Sequence, residues 1–313
     1  MNKCKSMRSH VRAFWHYRLN LGYSCQAKIL LSFAKFFDKR HISNLDESLI
    51  LEWIQTSKKQ CRFTWAQRLK AIYPFLKYCQ IEDPDIKIPP REFFGSAHRR
   101  LPPYIYTDKE IHSIIAETKK LPLTYGFSST TYYYYFCLLI TTGLRPAEGF
   151  SLMDYDVNFE KKLLLVQETK FHKSRIVPIH ESTVMALRQY KALRDQVFPN
   201  PCTAHFFLNK RGCPVTKSAL ESVFSHIREK LGLVKPYHGK LPRIYDFRHR
   251  FVCKKILHWY QKKVDVNHWL PILATYIGHV EITDTYWYIS NVPELMKITA
   301  KRFEKFVNLE GSC

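Results

Sequence analysis

The stretch TTGLRPAEGFSL, from Thr141 to Leu152, places an arginine at the corner between two helices. Tyr132 to Thr142 reads as a helix that stops at Gly143, a residue that takes a left-handed backbone without steric cost. Pro146 suits the first position of the next helix, because that position has no use for an amide hydrogen. Arg145 therefore sits immediately after a helix C-terminus. Glu148, three residues further on, is placed to orient its guanidinium.

Working outward, three more segments carry chemistry. ETKFHKSRIVPI (Glu168 to Ile179) lies where two short strands, Lys162 to Glu168 and Ser174 to Ile179, flank a hairpin turn. That turn, Thr169 to Lys173, carries Lys170 and Lys173. RIYDFRHRFV (Arg243 to Val252) contributes Tyr245, Arg248 and His249, with a helix predicted over Asp246 to Gln261. IGHVEITDTYWYIS (Ile277 to Ser290) sets His279 after Gly278, with Tyr288 nine residues later. Tyr286 and Tyr288 are two apart, so on a helix they face different ways and only one of them meets a shared ligand.

Around these segments the chain from about Tyr106 onward reads as mostly helical with one small antiparallel sheet. Thr107 and Glu110 fit a capping box ahead of an Ile111, Ile114 and Ile115 stripe. Further helices are predicted over Thr183 to Asp195, Lys217 to Leu231, His268 to Tyr276 and Pro293 to Val307. In the last of these, Leu295, Ile298, Phe303 and Phe306 suit either packing within the chain or docking on a neighbouring protomer. Leu121 to Leu144 is uncharged but rich in Ser and Thr, so it reads as a loop plus a buried helix and not as a membrane span.

The N-terminal part, residues 1–83, reads as a small helical bundle. Ser24 and Asp46 are candidate caps, and Leu30, Phe33, Ala34 and Phe37 share one helix face. Trp65, Leu69, Ile72 and Leu76 suggest a further helix that Pro74 is expected to kink or split. Lys35, Lys39, Arg40, Lys58, Lys59, Arg62, Arg68 and Lys70 are expected on the outer faces. Residues 84–105 carry Pro84, Pro89, Pro90, Pro102 and Pro103 together with Arg91, His98, Arg99 and Arg100, and read as a basic linker. The expected organisation is thus a bundle over 1–83, the linker over 84–105 and a second domain over 106–313.

Composition bounds the partners. At 313 residues the chain is long enough for about two domains at ~150 residues each. Lysine and arginine outnumber acidic residues by 49 to 27, a formal excess of +22, which calls for a polyanionic partner. Nucleic acid is the commonest such partner, with an anionic membrane surface or a ribosome as rivals. The nine cysteines are an odd count with no C-x-x-C pair, so no zinc ribbon or thioredoxin-type motif is expected. Scattered free thiols suit a reducing cytosol, and the N-terminus lacks the apolar run of a signal peptide.

Taken jointly, the four segments resemble the tyrosine recombinases, the phage integrase family of site-specific DNA recombinases, and look like integrases of bacterial mobile elements. Each motif alone is weak. Their order and spacing (G-L-R-x-x-E, the basic hairpin, the R-H pair on a helix, and G-H followed by tyrosine) are specific. The resemblance covers about Tyr106 to Phe306 by motif, and the N-terminal bundle matches the family's SAM-like core-binding domain in size and position.

The resemblance implies a mainly α fold with a DNA breaking-rejoining catalytic domain. It further implies that Arg145 and Arg248 clamp the scissile phosphate, Lys170 protonates the leaving 5′-oxygen, His279 bonds the phosphate, Glu148 supports the site and Tyr288 is the nucleophile. The product of attack is a 3′-phosphotyrosine link. No metal, ATP or other cofactor is implied. The implied partners are double-stranded DNA carrying specific sites and, on it, further copies of the chain in a synaptic tetramer that resolves a Holliday junction. No membrane partner is implied, and a cytoplasmic, nucleoid-associated location is. Lys35, Lys39, Arg40, Arg62, Arg68 and Lys70 are candidate DNA contacts, with the two domains clamping the duplex.

One position departs from the family. The usual His-x-x-Arg histidine is replaced by Tyr245, a phenol with a free pKa of ~10 and so a poor base at neutral pH. That leaves Tyr245, His249 or solvent to manage the nucleophile's proton. Two other readings stand beside the recombinase. One is a type IB-like topoisomerase that relaxes supercoils without exchanging sites. The other is a non-catalytic DNA-binding regulator on the same fold.

Overall fold

The computed structural model describes residues 6–23, 27–42, 44–57, 61–97, 102–167, 174–235, 237 and 240–291, with the single positions 296, 300 and 304. Ser24, Lys58, Lys59, His98, Arg99, Arg100, Lys170, Lys173 and nearly all of Pro293 to Val307 lie outside the described residues. The chain divides into two compact units, Met1–Leu101 and Pro102–Cys313.

The first unit holds four helices: α1 (Met7–Asn20), α2 (Ala27–Asp38), α3 (Glu47–Gln55) and α4 (Arg62–Glu82). The sequence gives no clear signal for α1. Its apolar positions Met7, Val11 and Phe14 sit among basic residues, a stripe too narrow to stand out, yet all three are buried. Asp46 caps α3 by accepting from the Ser48 amide at 3.0 Å. Phe33, Phe37, Trp53 and Phe75 form the aromatic centre, with Trp53 edge-on to Phe33 at 5.0 Å.

α4 runs through Pro74 as one helix, so the proline does not split it. A proline inside a helix costs ~3 kcal/mol. Here the residues around it, Ile72, Phe75 and Leu76, are wholly buried, and burying side chains of that size contributes ~1.5–3 kcal/mol apiece. Packing therefore outweighs the lost backbone bond. Ile86, Ile88 and Phe94, from the stretch following α4, also pack against this core, and Pro89 is buried.

The second unit is built on α6. In chain order it contains α5 (Asp108–Lys119), α6 (Phe127–Thr142), α7 (Pro146–Phe150), β1 (Val157–Asn158), β2 (Leu163–Val166), β3 (Arg175–Pro178), α8 (Glu181–Val197), α9 (Lys217–Lys230), α10 (Asp246–Gln261), α11 (Val266–Ile277) and α12 (Thr283–Asn291). The fold is thus mostly helical, with a three-stranded antiparallel sheet in the order β1-β2-β3. β2 and β3 pair from Leu163 with Pro178 to Val166 with Arg175.

α6 carries no charged residue and buries side chains around its circumference, which suits a helix enclosed by others. Tyr132, Tyr134, Tyr135, Phe136, Leu138 and Leu139 are all buried, and α5, α8 and α10 pack around it. Its polar groups are satisfied within the fold: the Thr131 hydroxyl donates to Leu208 O at 2.6 Å and the Tyr135 hydroxyl to Pro146 O at 2.8 Å. The expected capping box of α5 is present. A second apolar cluster, from Phe251 and Val252 to Ile277 and Tyr288, joins α10, α11 and α12. Among the described residues no helix is long and apolar enough to cross a membrane.

Candidate active site

Two glycines shape the site. Gly143 ends α6 at φ +65° and Gly278 ends α11 at φ +71°, both in the left-handed region. These turns leave helix-end carbonyls aimed at one place, and the C-terminal end of a helix carries partial negative charge. Three guanidinium groups use them. Arg248 donates to Gly143 O at 3.0 Å and Ile277 O at 2.5 Å, Arg145 to Gly278 O at 2.8 Å, and Arg175 to Tyr276 O at 2.8 Å.

Glu148 ties two of the three together. Its carboxylate accepts from Arg145 Nη1 at 2.6 Å, from the Arg145 amide at 2.9 Å, and from both terminal nitrogens of Arg175 at 3.0 and 2.8 Å. Burial alone would raise this carboxyl, but the arginines outweigh burial and hold it below the ordinary value. Arg175 was not singled out from the sequence. The available signal was a charged residue sharing the inward face of β3 with the buried Val177.

Arg248 and Arg194 are both 1% exposed, and the contrast between them is informative. Arg194 is paired with Asp154 and Asp195, as a structural buried arginine should be. Arg248 has no carboxylate partner among the described residues, and its Nε is buried without a hydrogen-bond acceptor. Burial, then the neighbouring charge of Arg145, lowers it to about 10. Three guanidiniums around one carboxylate leave unmatched positive charge and unused N–H donors, which is an anion site.

Tyr288 adjoins that site. It is buried on α12, and its hydroxyl lies 2.7 Å from His249 Nδ1 on α10. Burial raises its pKa well above the phenol range. His249 is pushed down to about 3 by burial and by the charges of Arg243, Arg248 and His279. The His279 ring lies parallel to the Tyr288 ring at 6.4 Å, and its Nδ1 pairs with the Thr285 hydroxyl at 2.8 Å. Tyr286 is exposed, so of the two candidate tyrosines the structure brings Tyr288 into the cluster. Tyr245 is also exposed, with its ring edge 5.1 Å from His249.

The structure thus gathers Arg145, Glu148, Arg248, His279 and Tyr288, adds Arg175 and His249, and leaves Tyr245 at the rim. Lys170 lies outside the described residues. A cavity of about 590 Å³ beside Arg145 is lined by Lys217, Arg228, Arg243 and Tyr245, with Glu221 also at its wall. Among the described residues no three His, Cys, Asp or Glu side chains group as metal ligands.

In the first unit, Lys35, Lys39 and Arg62 are exposed and Lys70 is half-buried. Arg40 is engaged by Glu52 through two bonds of 2.7 and 2.6 Å. Arg68 departs from the expected outer face. It is half-buried, stacked 3.9 Å over the Trp53 ring, and donates to Trp53 O at 2.8 Å. An indole face attracts a guanidinium, and the apolar part of the arginine stem packs beside it.

Gly278 provides a direct check on this geometry. A Cβ there would lie 2.8 Å from Arg175 Nη1, at a φ that L-residues adopt only at a cost of ~1–2 kcal/mol. Gly278→Ala is expected to lower stability by at least that amount in chemical denaturation, since Arg175 is pinned by Glu148 and Tyr276 and cannot swing away.

Residues 105–294 match the model of the phage integrase family. The chain is 31% identical over 306 residues to a putative integrase/recombinase, y4rB, of Sinorhizobium fredii, covering 96% of this chain and 98% of that one. Among solved structures it is similar to the Tn1549 transposon integrase in complex with transposon right end DNA. There the TM-score is 0.68 at 17% identity, covering 97% of this chain and all of that one (100%). It is also similar to the XerH site-specific recombinase in its post-cleavage complex with a palindromic difH substrate. That TM-score is 0.65 at 17% identity, covering 89% of this chain and 78% of that one.

Proposed function

Because the chain belongs to the phage integrase family of tyrosine recombinases, we propose that it cuts and rejoins DNA at specific sites through a covalent 3′-phosphotyrosine at Tyr288. The observation that carries this reading is the buried Arg248 guanidinium, without a carboxylate partner among the described residues, beside Arg145 and a buried tyrosine hydroxyl. A phosphodiester monoanion supplies the missing negative charge and the acceptor oxygens for their unused N–H groups. As phosphorus becomes five-coordinate, charge grows on the non-bridging oxygens. Donors already fixed by helix-end carbonyls stabilise it without having to reorganise.

The step balances simply. Tyr288 gives up its phenol proton to a neighbouring base as Oη bonds to phosphorus, the P–O5′ bond breaks, and the leaving oxygen takes a proton from Lys170. The strand's bond energy stays in the phosphotyrosine, so rejoining needs neither ATP nor a metal. A 5′-hydroxyl from the same or a partner duplex reverses the step. Exchange of strand pairs through a Holliday junction then requires several protomers on two sites, a synaptic tetramer. His279 bonds the phosphate, and Lys35, Lys39 and Arg62 provide backbone contacts whose contribution falls with salt.

The test is covalent trapping. Wild-type protein is incubated with nicked duplexes from the DNA flanking its gene, and the adduct is digested and mapped. A nucleotide attached to the peptide containing Tyr288 is the expected result. Salt-sensitive binding to the cognate duplex without any adduct would overturn the enzyme reading in favour of a DNA-binding regulator. Relaxed circles without exchanged flanks would overturn the recombinase reading in favour of a topoisomerase.

A further inference from the structure

The geometry points to His249 as the acceptor of the Tyr288 proton, a task taken over from the position where this chain carries Tyr245, and one enabled by the arrival of the scissile phosphate. This rests on the reading that Tyr288 attacks a DNA phosphate. A phenol attacking phosphorus must shed its proton, and the group nearest its oxygen is His249 Nδ1 at 2.7 Å. The two residues sit on different helices, α10 and α12; Tyr288 is buried in the apolar cluster, and the His249 side chain at its edge is 13% exposed. Tyr245 is the wrong group for this work: it is exposed and carries a phenol, not a base.

The tautomer follows from the surroundings. His249 Nε2 lies 3.9 Å from the Asp246 carboxylate, beyond hydrogen-bond distance but near enough for its charge to favour the proton on Nε2, and Nδ1 is then the acceptor from the Tyr288 hydroxyl. Also facing the imidazole are Arg243 and Arg248, which carry positive charge, His279, the edge of Tyr245, and Trp287 at 6.2 Å. With no anion bound, burial first and then the arginines oppose a positive charge there. The imidazole stays neutral and Tyr288 stays a phenol, so the idle protein carries no tyrosinate to react at random.

A phosphodiester seated between Arg145 and Arg248 offsets the Arg248 charge, which, after burial, is one of the contributions that lower His249, and so favours proton transfer to it. The proton then passes from Oη to Nδ1 as the Oη–P bond forms. The P–O5′ bond breaks and the leaving oxygen takes the Lys170 proton. On rejoining, imidazolium returns its proton to the departing Tyr288 oxygen. The base is thus switched by its own substrate and lies one helical turn from the position the family usually employs.

The test measures single-turnover cleavage of a nicked duplex by wild type, His249→Gln and the double variant Tyr245→His/His249→Gln. Salt-dependent binding to the same duplex verifies folding. His249→Gln is expected to cleave about 100-fold slower at pH 7, within the range for loss of a general base. Tyr245→His on that background is expected to restore at least about tenfold, as a proton acceptor returning one turn away should. Replacing the bridging 5′-oxygen with sulfur, which removes the need for a leaving-group acid, should leave the His249→Gln defect in place.

A wild-type rate in His249→Gln, or full rescue by the 5′-thiolate substrate, would overturn the assignment. Absence of any adduct with wild type would instead strike the parent reading, so the two failures are distinct. Should His249→Gln not fold, nitrogen-15 histidine spectra of wild type and Tyr288→Phe decide the matter. One imidazole should remain neutral with its proton on Nε2 from pH 8 to 5, and its Nδ1 signal should move when the hydroxyl is removed. No such signal sinks the proposal.

Discussion

Tyr288→Phe is expected to abolish the covalent protein–DNA adduct while leaving salt-sensitive DNA binding intact. The substitution removes one oxygen, and that oxygen is the attacking atom, so the loss is complete and not a matter of degree. The ring survives, and with it the packing against Trp287 and His279 and the cluster joining α10 to α12. Stability should fall modestly, because His249 Nδ1 loses its buried partner, at a cost of ~1–3 kcal/mol. Tyr286 cannot take over, since it lies two residues away and faces solvent. Tyr286→Phe should therefore form adduct at the wild-type rate. Adduct that persists in Tyr288→Phe and disappears in Tyr286→Phe would reverse the assignment and require α12 to turn when DNA binds.

Much of the second unit was legible because its punctuation is local. Gly143, Pro146, the Thr107–Glu110 capping box and the strand pair around the hairpin each act through a neighbour in sequence, so reading along the chain finds them. The motif residues Arg145, Glu148, Arg248, His279 and Tyr288 were legible through joint spacing. Their convergence was not, because it depends on carbonyls at the ends of α6 and α11, which are 135 residues apart as measured between Gly143 and Gly278. Arg175 escaped for the same reason, since its partners Glu148 and Tyr276 lie far away along the chain. His249 was visible as a member of the R-H pair, but only the approach of α12 gives it a partner. In the first unit the charges of Arg40 and Arg68 were read as an outer face. Their commitments to Glu52 and Trp53 are tertiary and left no mark in the sequence.

Arg175→Ala is expected to cause the largest loss of stability at the site and to disable it at the same time. Glu148 has a 5% exposed side chain and receives half of its four hydrogen bonds from Arg175. Truncating Arg175 leaves this buried carboxylate with Arg145 as its ionic partner, and losing one partner of a buried pair typically costs ~3–5 kcal/mol. For a unit of this size each kcal/mol moves the unfolding midpoint by ~2–4 °C, so a fall of roughly 6–20 °C is expected. The change also removes one tie between β3 and α11, the Arg175 bond to the Tyr276 carbonyl, and leaves the Tyr276 hydroxyl bonded to Pro178 O at 3.3 Å.

Replacing both members, as Arg175→Met with Glu148→Gln, separates the two consequences. Glu148 then carries no charge to be stranded, so much of the stability should return. Cleavage should not return, since Arg145 has lost its ionic partner and is left with the Gly278 carbonyl and a neutral amide oxygen. A double variant restored in both stability and cleavage would mean that the carboxylate is dispensable to the phosphate clamp. A single Arg175→Ala variant as stable as wild type would mean that Glu148 is hydrated in solution and that the charge argument for this cluster fails.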